Sequence, residues 1–146
     1  MDKQQILKEK KLKVTSCRLD VLDYLDKSKK AVGQPELEKK FQGKYDRVTL
    51  YRTLHSFLSV DIVHQVPDNV GEVKYALCHH EHNQHHEHHH HAHIHNHLHF
   101  KCTNCESTTC IDDVPIQIIQ LPFGYELDEI QLLGIGICKN CSQKNK

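Results

Sequence analysis

Seven cysteines and 15 histidines among 146 residues are the side chains most able to do chemistry here, and both are concentrated. Four of the cysteines form two C-x-x-C pairs, Cys102–Cys105 and Cys138–Cys141. Each pair places two thiolates on one tight turn, and two such turns complete a tetrahedron around a d¹⁰ ion such as Zn²⁺. The 32 residues between the pairs leave room for a small inserted subdomain. A structural four-cysteine zinc site is the expectation. Redox dithiols are the alternative, but a redox C-x-x-C rarely needs a second copy. An odd cysteine total without a secretion signal argues against a disulfide framework. Cys110 is the nearest competitor as fourth ligand, but it sits in an apolar alternation and reads better as a buried strand thiol.

Residues 79–99 hold 13 of the 15 histidines. The tract is internal and broken by Glu, Asn, Ala and Ile, so it is not an expression tag. It cannot bury itself, and a loop that touches metal weakly at several stoichiometries is expected, with a polar linker as the plainer reading. At its end His97 and His99 alternate along a strand pattern, so both imidazoles project from one face.

These donors need a scaffold, and the pattern changes along the chain. LKVTSCRLDVLDYLDK places Val14, Val21, Leu22 and Leu25 near one helix face, with Thr15 as N-cap. GQPELEKKF gives a short helix with Pro35 at its start. DRVTLYRTLHSFL shows Leu50, Leu54, Phe57 and Leu58 as an amphipathic stripe capped by Asp46; Thr49, Arg52 and Ser56 lie opposite, with Tyr51 on the flank. Two β-like runs follow, 62–66 and 72–77, joined by the turn chemistry of PDNVG. Three helices and a hairpin is the order of a winged-helix DNA-binding domain, with the third helix as recognition helix. Beyond His97, HLHFKC and STTCI read as strands, VPIQIIQL as a short helix from Pro115, and FGYELDEIQLLGIGIC as a long strand into the second cysteine pair. A small sheet of this kind exposes an edge that dimer pairing removes.

Net charge is zero, yet residues 1–60 carry 14 Lys and Arg against 8 Asp and Glu, while residues 61–146 carry 5 against 11. The basic half is the one suited to a polyanion, though a solvated basic surface fits charge alone equally well. No apolar run approaches the roughly 20 residues of a membrane span, and the N-terminus lacks the apolar stretch of a signal peptide. A cytoplasmic protein without membrane attachment is expected.

The combination of LKVT-x-x-R, D-x-V-T-L-Y-R-T-L, H-x-H-x-x-C-x-x-C and a closing C-x-x-C resembles the ferric uptake regulator (Fur) superfamily, and most nearly its zinc uptake regulator (Zur)-like members. The likeness spans nearly the whole chain, in the family's order. It implies an α+β protein: an N-terminal winged-helix domain over residues 1–78, a His-rich loop and hinge over 79–96, and an αβ dimerisation domain with the four-cysteine zinc site over 97–146. Tyr51 and Arg52, with Thr49 beside them, match the recognition-helix residues that meet thymine methyls, base edges and phosphates in the major groove. Lys13 matches a basic residue that approaches the narrow minor groove of A·T-rich DNA. Arg18 matches a residue that holds the helices together. Iron-type members carry a histidine and a glutamate at the positions of Ala31 and Ala76, so both ligands of that regulatory site are absent here. Cys78 stands where Zur-like members carry a ligand cysteine, and His64 lies near a further ligand position. A third family site is missing, because its positions hold Asn96 and Leu98 and no histidine follows His99.

A regulatory Zn²⁺ held by His64, Cys78, His97 and His99 is therefore expected, with Asp61 or Glu81 as substitutes for His64. The function implied is a zinc-sensing, homodimeric repressor of A·T-rich palindromic operators, with no small-molecule substrate beyond the metal. Within the family, the alternative is a regulator answering to iron, nickel, manganese or peroxide. From another class, a His-rich storage protein or metallochaperone leaves the basic half without a role. An enzyme is disfavoured, because His80-Glu81 lacks the second histidine that a hydrolytic zinc site needs at the required spacing.

Overall fold

The computed structural model describes residues 2–67, 71–78, 97–112, 114–115, 120–127 and 130–144. They fall into two units that divide after Cys78. The first unit runs α1 (Lys3–Glu9), α2 (Ser16–Ser28), β1 (Val32–Gly33), α3 (Gln34–Lys40), α4 (Arg47–Leu58), β2 (Val63–Val66) and β3 (Lys74–Leu77).

Side-chain caps set where these helices begin. The Thr15 hydroxyl accepts from the Arg18 amide, and Asp46 accepts from the Thr49 amide at 2.8 Å, each satisfying one of the unpaired amides of a helix start. Pro35 occupies the first turn of α3, where a missing N–H costs nothing. Helix α2 stops at Lys29, which adopts the left-handed conformation at φ 52°. The apolar stripes then meet: Leu7, Val21, Leu22, Leu37, Leu50, Leu54 and Phe57 are fully buried in one core. Strands β2 and β3 pair antiparallel with His64 opposite Ala76, and β1 joins the other edge of β3. This is a winged helix.

The three expected helices and both wing strands are present, and two further elements accompany them. Helix α1 has a polar sequence, KQQILKE, that buries only Leu7, so it carries almost no periodic signal. Strand β1 is two residues long and exists only by pairing with β3. Most of the turn expected over PDNVG, residues 68–70, lies outside the described residues, as does the His-rich segment 79–96.

The second unit contains β4 (Leu98–Cys102), β5 (Thr108–Ile111), β6 (Leu133–Gly136) and α5 (Lys139–Lys144). Its sheet has the order β5-β4-β6, antiparallel between β4 and β5 and parallel between β4 and β6. Phe100 explains the glycines of β6: a Cβ at Gly134 or Gly136 would stand only 3.3 or 3.2 Å from its ring. The long strand expected from Phe123 is corrected to the four residues of β6. Upstream, Gly124 takes φ 91° and the Tyr125 amide donates to the Pro122 carbonyl, so the chain turns where extension was expected. Residues 116–119, most of the helix expected from Pro115, are outside the described residues. Among the described residues, no helix is long and apolar enough to cross a membrane.

The two faces of α4 should differ sharply under mutation. Phe57→Ala is expected to cost about 3–5 kcal/mol of stability, as truncation of a fully buried aromatic does. Tyr51→Ala, on the exposed face, should stay within about 0.5 kcal/mol. Urea unfolding followed by helical circular dichroism checks both, and equal losses would contradict this division of α4.

Candidate metal centres and nucleic-acid interface

Strand β4 ends in Cys102, the turn that follows carries Cys105, Cys138 precedes α5, and Cys141 lies in its first turn. Parallel pairing of β4 with β6 brings the two turns side by side, with Cys102 opposite Gly136. The four sulfurs lie within 4.8 Å of one another. Cys105 Sγ and Cys138 Sγ are 3.9 Å apart, close to the edge of about 3.8 Å expected for a tetrahedron with Zn–S bonds of about 2.3 Å.

Backbone amides prepare the thiolates. The Cys105 and Cys138 N–H groups lower the Cys102 thiol to about 6, and the Cys138 amide donates to Cys102 Sγ at 3.3 Å. Ser107 lowers Cys105. At Cys141 the Asn104 side chain pulls the same way, but the crowding thiols Cys138, Cys105 and Cys102, with burial, raise it to about 11. Four thiols this close cannot all ionise without a cation among them. The donor set therefore fits a tetrahedral, thiolate-bound metal with no open coordination position.

A second donor group lies on the same sheet. His97 directly precedes β4, and its Nε2 is 3.1 Å from Nε2 of the buried His99. The antiparallel register sets Cys110 of β5 opposite His99. The ligand atoms of His97, His99 and Cys110 lie within 4.8 Å of one another. Cys110 is more than the buried strand thiol expected from its apolar surroundings. Burial, then the Asp112 charge, pushes its thiol up to about 12, so without a cation it stays protonated and inert. Its cue in the sequence is strand pairing: once β4 and β5 are aligned, Cys110 must face the histidine pair.

The winged-helix unit holds the other two expected ligands. His64 is buried on β2, Cys78 follows β3, and His64 Nδ1 is 3.5 Å from Cys78 Sγ. The Cys78 amide donates to the Ile62 carbonyl, which fixes the thiol at the end of the hairpin. The positions of the iron-type ligands hold Ala31 and Ala76, both buried and without a donor atom.

Helix α4 presents the candidate nucleic-acid surface. Tyr51 and Arg52 are exposed, and Lys13 is exposed ahead of α2. The Arg18 guanidinium donates to the Lys13 carbonyl at 2.7 Å and so steadies the segment carrying that lysine. Thr49 is half-buried and its hydroxyl donates to Asp46, which gives it a capping role at the base of the same face. Val48 and His55, neither singled out by sequence, are exposed beside Tyr51. An apolar side chain exposed on α4 is the cue for Val48.

A winged helix joined to a thiol-clasped αβ unit that carries a second cluster of imidazole and thiol donors defines a metal-binding regulatory protein. No protein-family profile matches the chain. It is 32% identical over 148 aligned positions to the ferric uptake regulation protein of Staphylococcus epidermidis, covering 98% of this chain and 96% of that one. Identity to the Staphylococcus aureus protein of the same name is 31% over 144 positions, covering 96% of each. Among solved structures, a zinc uptake regulator complexed with zinc and DNA matches with TM-score 0.64 at 18% identity, covering 97% of this chain and 91% of that one. The Vibrio cholerae ferric uptake regulator matches with TM-score 0.61 at 24% identity, covering 94% and 100%. The structural matches establish the fold, and the sequence relatives establish the family. The chain belongs to the ferric uptake regulator family of metal-responsive transcriptional regulators, and it is not an enzyme.

Cys105→Ser should remove one tightly held metal ion per chain and unfold the second unit, because metal free energy in such a site is folding free energy. Cys110→Ser should leave that ion in place. Metal analysis after dialysis, with amide exchange over β4–β6, checks both. A folded, metal-free Cys105→Ser protein would contradict the clasp.

Proposed function

We propose that the chain is a zinc-responsive repressor that binds A·T-rich palindromic operator DNA as a homodimer in the cytoplasm. The observation that carries the choice of metal is the donor chemistry. Among the described residues, His97, His99 and Cys110 on one unit, and His64 and Cys78 on the other, offer imidazole and thiol. Such donors suit zinc over iron(II) or manganese(II). Buried alanines at positions 31 and 76 point the same way, since they leave the iron-type site without two ligands. The clasp cysteines hold a permanent structural Zn²⁺ on this reading.

The regulatory Zn²⁺ would be bound by His64, Cys78, His97 and His99, one sulfur and three nitrogens drawn from both units. Cys110 stands beside the two strand histidines as a second thiol. A bridge between units makes metal binding a conformational selector. Zinc stabilises whichever arrangement lets all four donors reach one ion, and that arrangement presents the paired α4 helices to DNA. Two recognition helices then enter successive major grooves about 34–36 Å apart, or a multiple of that distance. Arg52 and Tyr51 supply base-edge and methyl contacts, while Lys13 adds charge toward the minor groove. A storage protein with the same histidines would retain DNA only through salt-labile, sequence-independent attraction.

Operator binding scanned across zinc, iron, manganese and nickel tests the reading, and zinc should give the largest gain in affinity. Cys78→Ser should lose the zinc response, whereas deletion of residues 80–94 should keep most of it; the reverse pattern would shift sensing to the histidine tract. Arg52→Ala should lower specific binding by about 1–3 kcal/mol with zinc content unchanged. Lys13→Ala should weaken all sequences alike and flatten the salt dependence, read from titrations at several salt concentrations.

A further inference from the structure

Tyr51 and His55 stand one helical turn apart on the exposed side of α4. Their ring centroids are 4.1 Å apart, with the planes tilted by 40°. Side chains of a helix lean toward its N-terminus, so a residue covers the turn before its own Cα. The His55 imidazole therefore lies over the turn that carries Tyr51. Val48, almost a turn further back, is 54% exposed, and Tyr51 is 47% exposed. Val48, Tyr51 and His55 make an apolar and aromatic strip beside the exposed Arg52.

The strip adds little to folding. Leu50, Leu54 and Phe57 already anchor the opposite side of α4 in the core, fully buried. An exposed tyrosine without a neighbour samples several rotamers, and selecting one at a binding surface opposes association. A ring stacked against it removes that freedom before any partner arrives.

We propose that His55 is a positioning residue for operator recognition. Its imidazole stacks on the Tyr51 phenol and holds that ring in the orientation that meets base edges in the major groove. The proposal rests on the DNA-binding role assigned to α4. Discrimination arises through Tyr51, and His55 need not touch DNA itself. Sequence-specific affinity should therefore depend on the ring at position 55, while the sequence-independent attraction of phosphates should not.

The test uses the full-length, zinc-loaded protein with two probes: its preferred A·T-rich palindromic duplex, selected from random DNA, and a scrambled duplex of equal composition. Wild-type discrimination between them, lost in Arg52→Ala, establishes the role of α4 independently of His55. His55→Ala is then expected to weaken palindrome binding about three- to tenfold, the range for fixing one free side chain on binding. Binding to the scrambled duplex, zinc content and Tm should not change. Added to Tyr51→Ala, the substitution should cost nothing more, and His55→Phe should restore the lost affinity. Wild-type affinity in His55→Ala, additive losses with Tyr51→Ala, or equal weakening on both duplexes would overturn the positioning role, the last by showing a direct phosphate contact. A wild-type protein that failed to discriminate the duplexes would overturn the reading of α4, and this proposal with it.

Discussion

Four sulfurs gathered within 4.8 Å of one another are the interaction on which the second unit depends. Among the described residues, its buried apolar side chains are Cys102 and Cys141, two members of that group. The buried polar residues His99 and Thr108 belong to the same small sheet. Leu121, Phe123, Tyr125, Leu127, Ile135 and Ile137 are all exposed. A sheet of three short strands with so little interior is below the size at which burial alone sustains a fold, and small domains of this kind rely on a metal or on a second subunit. The four clasp thiols are a donor set able to hold the first of these. They also fix β4 against β6, and β4 carries the buried His99 with His97 just ahead of it, so the second donor group inherits its geometry from the first.

The winged-helix unit has the opposite balance. Its interior is a continuous apolar core, and α2 and α4 start at side-chain caps. Metal need not hold this unit together. At the base of its wing, His64 and Cys78 stand as a neighbouring imidazole and thiol. The second unit offers two imidazoles and a thiol of its own, so each unit carries a separate donor group.

Much of this was legible in the sequence, for identifiable reasons. Thr15, Pro35 and Asp46 announce helix starts through local chemistry that tertiary packing does not override. The double C-x-x-C is specific because few other uses need four thiols at that spacing. Helix α1 and strand β1 were not legible, since one is nearly all polar and the other is defined by its partner. The overlong strand around Tyr125 followed from alternation alone, which cannot register a left-handed glycine at position 124. Cys110 lies on β5 as the strand thiol expected, and its position opposite His99 could be read only across the sheet, not from its neighbours along the chain. The partnership of His55 with Tyr51 follows from helical spacing, but only the folded helix shows both rings exposed and in contact.

Zinc K-edge X-ray absorption of the metal-stripped protein, recorded after one and then two equivalents of zinc, tests the central claim directly. The first equivalent should show four sulfurs at about 2.3 Å and no nitrogen. The second should add a shell of nitrogens at about 2.0–2.1 Å together with sulfur. Nitrogen or oxygen ligands around the first ion, in a protein whose β4–β6 sheet is already folded without zinc, would contradict the clasp on which the rest of the structure depends.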